Sequence, residues 1–134
     1  RYETQILDSF GLEGKSNEAG GIYQVRDPEV NACFPPLTWQ TYDIDFTAPR
    51  LDEQGKKMSN AKLTVRLNGI VVQRETPVPA PTRAARFKDE DSGEGPIFLQ
   101  NHKDPVRFRN IWILPRDAAK ESRRPLIPGY ERFA

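Results

Sequence analysis

The chain has 134 residues, 37% hydrophobic and 29% charged, and its 20 Lys and Arg against 19 Asp and Glu leave a net charge of +1. That length holds one domain or part of one, and apolar residues gathered into strand-length runs argue for a folded chain. A balanced charge with no basic stripe argues against a nucleic-acid partner, and no apolar run reaches the about 18 residues of a membrane span. Cys33 is the only cysteine, which excludes an internal disulfide and a cysteine-based zinc site. It reads as a small buried hydrophobe beside Phe34.

In chain order, Tyr2–Leu7 alternates as a strand, with Tyr2, Thr4 and Ile6 on one face and Glu3, Gln5 and Leu7 on the other. A polar loop follows, then a short strand over Gly21–Val25 and a loop closed by Pro35-Pro36. Trp39–Thr47 alternates most clearly: Gln40, Tyr42, Ile44 and Phe46 share one face, while Asp43 and Asp45 mark a wet one. Leu51–Ala61 reads as a charged loop. Asn68-Gly69 predicts a two-residue hairpin turn. Its register sets Leu67 against Ile70, Val65 against Val72, Leu63 against Arg74, Thr64 against Gln73 and Lys62 against Glu75.

The prolines at 77, 79 and 81 predict an extended crossing loop over Thr76–Ala85. Arg86–Gly95 is charged and loop-like. Ile97–His102 and Val106–Leu114 read as two strands joined by a Lys103-Asp104-Pro105 turn. On them Gln100 and His102 share a face, as do Arg107 and Arg109. Only Asp117–Arg123 has helical character, and residues 116–134 form an irregular tail beyond a β-sandwich over residues 1–115. With twelve prolines and no apolar 3.6-residue period, the chain is all-β. About seven strands suggest a sandwich. A strand opening at the first residues makes this the later portion of such a domain, completed by another segment or a partner chain.

Several segments, in order, resemble the 3-keto-disaccharide hydrolase family. They are Tyr2-Glu-Thr-Gln-Ile-Leu-Asp-Ser9, Gly21-Ile-Tyr23, Asn31-Ala32 with Pro35-Pro36, Trp39-Gln-Thr-Tyr-Asp-Ile44 and Ala48-Pro-Arg50. Val65–Gln73, Gly95-Pro-Ile97, Leu99-Gln100, His102 and Phe108-Arg-Asn-Ile-Trp112 continue the match. The resemblance implies a concanavalin A-like jelly-roll sandwich, incomplete here at its N-terminus, and an exported protein, secreted or periplasmic. Lys103-Asp104 stands where the family commonly has a glycine after the histidine, which reshapes that loop.

The resemblance also implies a substrate, an oxidised disaccharide or glycoside carrying a 3-keto group. Such a ketone acidifies the C2 hydrogen, so a base removes it, the glycosidic oxygen leaves C1, and water then adds. The route needs a base, a group for the enolate oxygen and an acid for the leaving oxygen, rather than two opposed carboxylates.

His102, the only histidine, is the candidate base, with packing against backbone as its bland alternative. Glu3 reads as acid, base or metal ligand, or as a solvated edge carboxylate, and the resemblance places its face on the concave side. Arg109 suits an enolate or a hydroxyl. Gln5, Gln40 and Gln100 have the donors and acceptors that sugars use, cross-strand amide pairing being the plain alternative for the last two. Asp8 joins a sugar site or forms a turn before Ser9 and Gly11. Tyr23, Trp39 and Trp112 offer stacking surfaces, although core packing is favoured for Trp112 between two isoleucines. The ligand types of Glu3, Asp8 and His102 admit a divalent cation, but no spacing requires one and no cofactor is implied. A non-catalytic sugar-binding module and an interaction domain of a secreted assembly are the competing readings.

Overall fold

The computed structural model describes residues 1–82, 85, 89–90 and 95–116. The helical character expected over Asp117–Arg123 and the tail to residue 134 lie outside the described residues, as does most of the charged run from Arg86. The chain divides into two compact units, Arg1–Glu94 and Gly95–Ala134. The described residues contain strands and no helix, so the all-β expectation holds.

The first unit is built on β1 (Tyr42–Thr47), β4 (Ala61–Leu67) and β5 (Ile70–Val78), an antiparallel sheet in the order β1-β4-β5. A small antiparallel ribbon of β2 (Arg50–Leu51) and β3 (Lys57–Ser59) stands between β1 and β4 in the sequence. The ribbon replaces the loop expected over Leu51–Ala61. Its turn closes because the Asp52 carboxylate accepts the Gln54 and Lys56 N–H groups at 3.0 and 2.8 Å.

β4 is the central strand and alternates as one should: Ala61, Leu63, Val65 and Leu67 are buried, and the residues between them less so. β1 lies against it with Tyr42 opposite Leu67, Ile44 opposite Val65 and Phe46 opposite Leu63, but the expected wet and dry faces do not follow: Ile44 and Phe46 are exposed, whereas Asp43 and Asp45 are half-buried. The strand starts at Tyr42 rather than Trp39, because Gln40 turns back to bind the preceding loop.

At the hairpin turn Asn68 has φ +54° and Gly69 φ +80°, the two positive values a type I′ turn requires, and Leu67 faces Ile70. Beyond the first pairs the register departs from expectation. Val65 faces Gln73, Leu63 faces Thr76, and Lys62 faces Pro77 rather than Glu75, with irregularities on either side of Val65. The cause is polar. Gln73 and Thr76 are both buried, their side chains share a hydrogen bond of 3.0 Å, and Glu75 swings to φ +41° with its N–H on Thr64 Oγ1. β5 also runs through Pro77, correcting the loop predicted from Thr76. On an outer strand the missing proline N–H leaves no inner ladder broken.

The apolar side of the sheet is covered by the N-terminal segment: Ala19, Ile22 and Ala32 join the strand residues in one cluster, with Tyr2, Cys33 and Tyr42 packed against it. Cys33 is half-buried. Tyr2–Leu7 forms no full strand. Its partner segment bends at Gln24 (φ +55°) and pairs back on itself, so only isolated bridges remain, Thr4 with Ile22 and Ile22 with Arg26. The strand expected over Gly21–Val25 is therefore a turn. Gly21 is required there, since a Cβ would meet the Ser16 carbonyl oxygen at 2.6 Å.

In the second unit, residues 95–116 bend at Lys103-Asp104 and at Asn110 and form no strand ladder. The predicted turn is present in outline: Val106 N–H reaches Asp104 O at 2.8 Å and Lys103 N–H reaches Asn101 Oδ1 at 2.9 Å. The ladder is not. Apolar residues on successive positions, as in Ile97-Phe98-Leu99 and Ile111–Leu114, suit a strand covered on both faces. Here those side chains are exposed, and Trp112, expected to pack, is 69% exposed.

Candidate active site

The N-terminal bridge brings three of the expected residues together. Gln5 N–H donates to Gly21 O, Gly20 N–H to Gln5 O and Tyr23 N–H to Glu3 O. With Thr4 opposite Ile22, this register sets Tyr23 opposite Glu3 on one face of the short pairing. On that face Gln5 Nε2 donates to Glu3 Oε1 at 2.8 Å, and Gln24 Nε2 lies 3.5 Å from Tyr23 Oη. Glu3, Gln5 and Tyr23 are all half-buried. A carboxylate held by an amide beside a phenol can exchange a proton with, or accept hydrogen bonds from, a polyhydroxylated ligand.

Two other expected residues do structural work. The Gln40 amide accepts from Phe34 N–H at 2.9 Å and from Asn68 Nδ2 at 2.6 Å, and it donates to Phe34 O at 3.0 Å. Both ends of its amide are thus engaged in closing the loop onto the hairpin. Asp8 is exposed and its Oδ1 lies 3.4 Å from Phe10 N, the turn-forming geometry. Trp39 is 47% exposed ahead of β1.

Gln100, His102 and Arg109 belong to the second unit, and all three are exposed. Gln100 lines a groove of about 220 Å³ with Leu99, Asn101, Asp104, Val106 and Phe108. In the first unit a more open depression of about 530 Å³ is edged by Gln24, Arg26, Asp27 and Glu29, and none of the expected residues lines it. Among the described residues, no group of three or more His, Cys, Asp and Glu side chains converges to hold a metal ion. No helix among them is long and apolar enough to cross a membrane.

One polar cluster escaped sequence reasoning. Tyr2 Oη donates to Glu90 Oε1 at 2.6 Å, and Lys57 Nζ pairs with the other Glu90 oxygen. Burial, and then the Glu90 carboxylate, push the Tyr2 phenol well above its ordinary value. Residues 2, 57 and 90 have no spacing that links them, so nothing short of the fold announces the cluster. It sits on the Tyr2 side of the N-terminal segment, while Glu3 and Gln5 share the other.

An antiparallel all-β domain with an amide-held carboxylate on its N-terminal segment is what the fold and site define. Residues 1–114 match the 3-keto-alpha-glucoside-1,2-lyase-like domain family, and the chain belongs to it. Among solved structures it is similar to a "putative glycosyl hydrolase" from Parabacteroides distasonis ATCC 8503, at 38% identity and a TM-score of 0.67. That match covers 78% of this chain and 45% of the other, so the chain spans under half the length of its structural relative. No curated protein matched the chain.

Proposed function

We propose that this domain acts on 3-keto-glycosides, breaking the glycosidic bond by elimination and not by direct displacement. The observation that carries the reading is the half-buried Glu3 carboxylate, held at 2.8 Å by Gln5 and set opposite Tyr23, within the segment that matches the family. A base takes the C2 proton, the resulting electron pair forms an enolate with the 3-keto oxygen, and the C1 oxygen departs with a proton from an acid. Water then adds to the enone. Glu3 handles one of these protons, and Gln5 orients it. By chemistry alone His102 is the second proton-transfer group and Arg109 the cation for enolate charge, each with its own variant as test.

The test is turnover of a 3-keto disaccharide beside its unoxidised parent. Only the oxidised sugar should be cleaved, with a primary isotope effect from deuterium at C2. Glu3→Gln should lower kcat by about 10²-fold or more, the usual weight of a general acid or base. His102→Ala and Arg109→Ala are read in the same assay. Absence of turnover by cooperatively unfolding wild-type protein overturns the proposal.

A non-catalytic sugar-binding role is the second reading, favoured by the groove that combines Gln100, Asn101 and Asp104 with Leu99, Val106 and Phe108. It predicts saturable binding of the oxidised and parent sugars alike without product, and Gln100→Ala weakening both.

A further inference from the structure

The loop that follows Tyr23 is fixed in its backbone and open in its side chains. Val25 and Arg26 N–H both donate to Ile22 O, at 2.8 and 3.0 Å, and Ile22 N–H donates to Arg26 O at 3.0 Å. The buried Gln73 amide holds Asp27 O at 3.1 Å, and Glu29 N–H donates to Val72 O at 2.8 Å. Yet Gln24, Arg26, Asp27 and Glu29 are exposed. Among the described residues no hydrogen bond or ion pair engages the Arg26 guanidinium or the Glu29 carboxylate. Gln24 also holds φ +55°, a costly backbone for a residue with a side chain. A pinned and strained loop whose charged side chains the fold leaves unused is suited to presenting them to a ligand.

These side chains edge the open depression of about 530 Å³, and two links join it to the face that carries Glu3. Gln24 places its Nε2 3.5 Å from Tyr23 Oη, and Tyr23 stands opposite Glu3. Gly21 stands opposite Gln5 on the same face as Tyr23, and a Cβ there would meet Ser16 O at 2.6 Å. Ser16, which also lines the depression, therefore overhangs that face. The lining is hydrophilic and mixed in charge, with a guanidinium, two carboxylates, an amide and a hydroxyl, and it holds no aromatic ring. Such a set matches a neutral ligand dense in hydroxyls, which donate and accept alike, and offers little to an apolar or stacked group. The volume is that of a site for a small organic ligand.

We propose that this depression is the subsite for the leaving side of the substrate, holding a neutral sugar unit through the Arg26 guanidinium and the Gln24 amide. The inference rests on the reading of Glu3 as the reacting group. A terminal 3-keto ring placed on Glu3 is joined to the rest of the substrate through its C1 oxygen. A hydroxyl-binding surface beside that ring therefore meets the part that leaves. Arg26 and Gln24 touch no reacting atom. They set which leaving group is preferred, a sugar over a simple alcohol, because the fork of the guanidinium spans neighbouring hydroxyls that a methyl group lacks.

The experiment is calorimetric titration of the Glu3→Gln chain, slowed in turnover, with two ligands that share one oxidised ring: a 3-keto disaccharide and the methyl 3-keto-glycoside. The disaccharide should bind about tenfold tighter, the scale of one or two retained hydrogen bonds. Adding Arg26→Ala should bring the ratio of the two affinities towards one. Gln24→Gly keeps the left-handed backbone and removes the amide, and it should reduce the ratio in smaller measure. Equal affinities without the added substitutions, a ratio that Arg26→Ala leaves intact, or failure of both ligands to bind overturns the subsite. Should the Arg26 variant not unfold cooperatively, Gln24→Gly decides, an unchanged ratio overturning the subsite. The Glu3 reading is judged apart, by wild-type turnover of the methyl glycoside. Turnover with equal affinities sinks the subsite alone, whereas a tenfold ratio without turnover sinks the Glu3 chemistry and supports a sugar subsite in the depression.

Discussion

Gln73 shows how one side chain organises a unit. It is fully buried on β5, and its Nε2 donates to Gly20 O at 3.2 Å and Asp27 O at 3.1 Å while its Oε1 accepts from Thr76 Oγ1. A single amide therefore satisfies two loop carbonyls and a buried hydroxyl, groups that would be costly to leave unmatched. Gln73→Leu keeps the volume and strands all three. Urea unfolding should show a loss of about 2–3 kcal/mol, and a loss below half of that would mean the loops relax onto other partners. Nothing in the sequence marks Gln73 as interior. The alternation across the hairpin assigned it to the face of Thr64, and only the irregular register turns it inward.

At the scale of the element, the hairpin turn has two duties. Asn68 adopts a left-handed backbone, and its side chain also binds: Nδ2 donates to Ala32 O at 2.8 Å and Gln40 Oε1 at 2.6 Å, while Oδ1 accepts from Thr41 N–H at 2.9 Å. The turn is thereby tied to the approach to β1 and to the loop before it. Asn68→Gly retains the backbone conformation and loses the ties, whereas Asn68→Ala loses both. The alanine variant should be less stable than the glycine variant by about 1 kcal/mol, the cost of a left-handed non-glycine residue. Equal stabilities would show that side-chain ties alone set the preference. The turn itself was legible as a dipeptide, but the ties were not, because their partners lie far away in the sequence.

For the whole molecule, a buried phenol links stability to pH. Tyr42 Oη donates to Gln5 O at 2.9 Å, joining the sheet to the segment that carries Glu3. Burial, with a smaller contribution from Cys33, raises the Tyr42 phenol well above the ordinary tyrosine value. The folded chain thus keeps a proton that the unfolded chain releases near pH 10. Its contribution is complete below the unfolded value and falls as pH rises beyond it. Melting temperatures should drop above about pH 10. Tyr42→Phe should begin about 1 kcal/mol less stable for want of the hydrogen bond, yet show a shallower alkaline decline. An unchanged slope would exclude Tyr42 as the titrating group. Tyr2, raised by burial and Glu90, contributes a decline of the same sign that Tyr42→Phe leaves in place.

The all-β class, the Asn68-Gly69 turn and the shared face of Glu3 and Gln5 were all readable from sequence. Each depends on neighbours one or two positions apart and on the two-residue period of a strand. The tertiary structure decided where partners come from: the second strand that Tyr2–Leu7 never finds, the register beyond Val65, the closure of Gln40 onto Phe34, and the meeting of Tyr2, Lys57 and Glu90. In it, Ile97, Phe98, Leu99, Ile111, Trp112 and Ile113 are exposed. Alternation states that a side chain wants burial or a partner. It carries no information about which distant residue supplies one, because that depends on how the chain closes its loops in three dimensions.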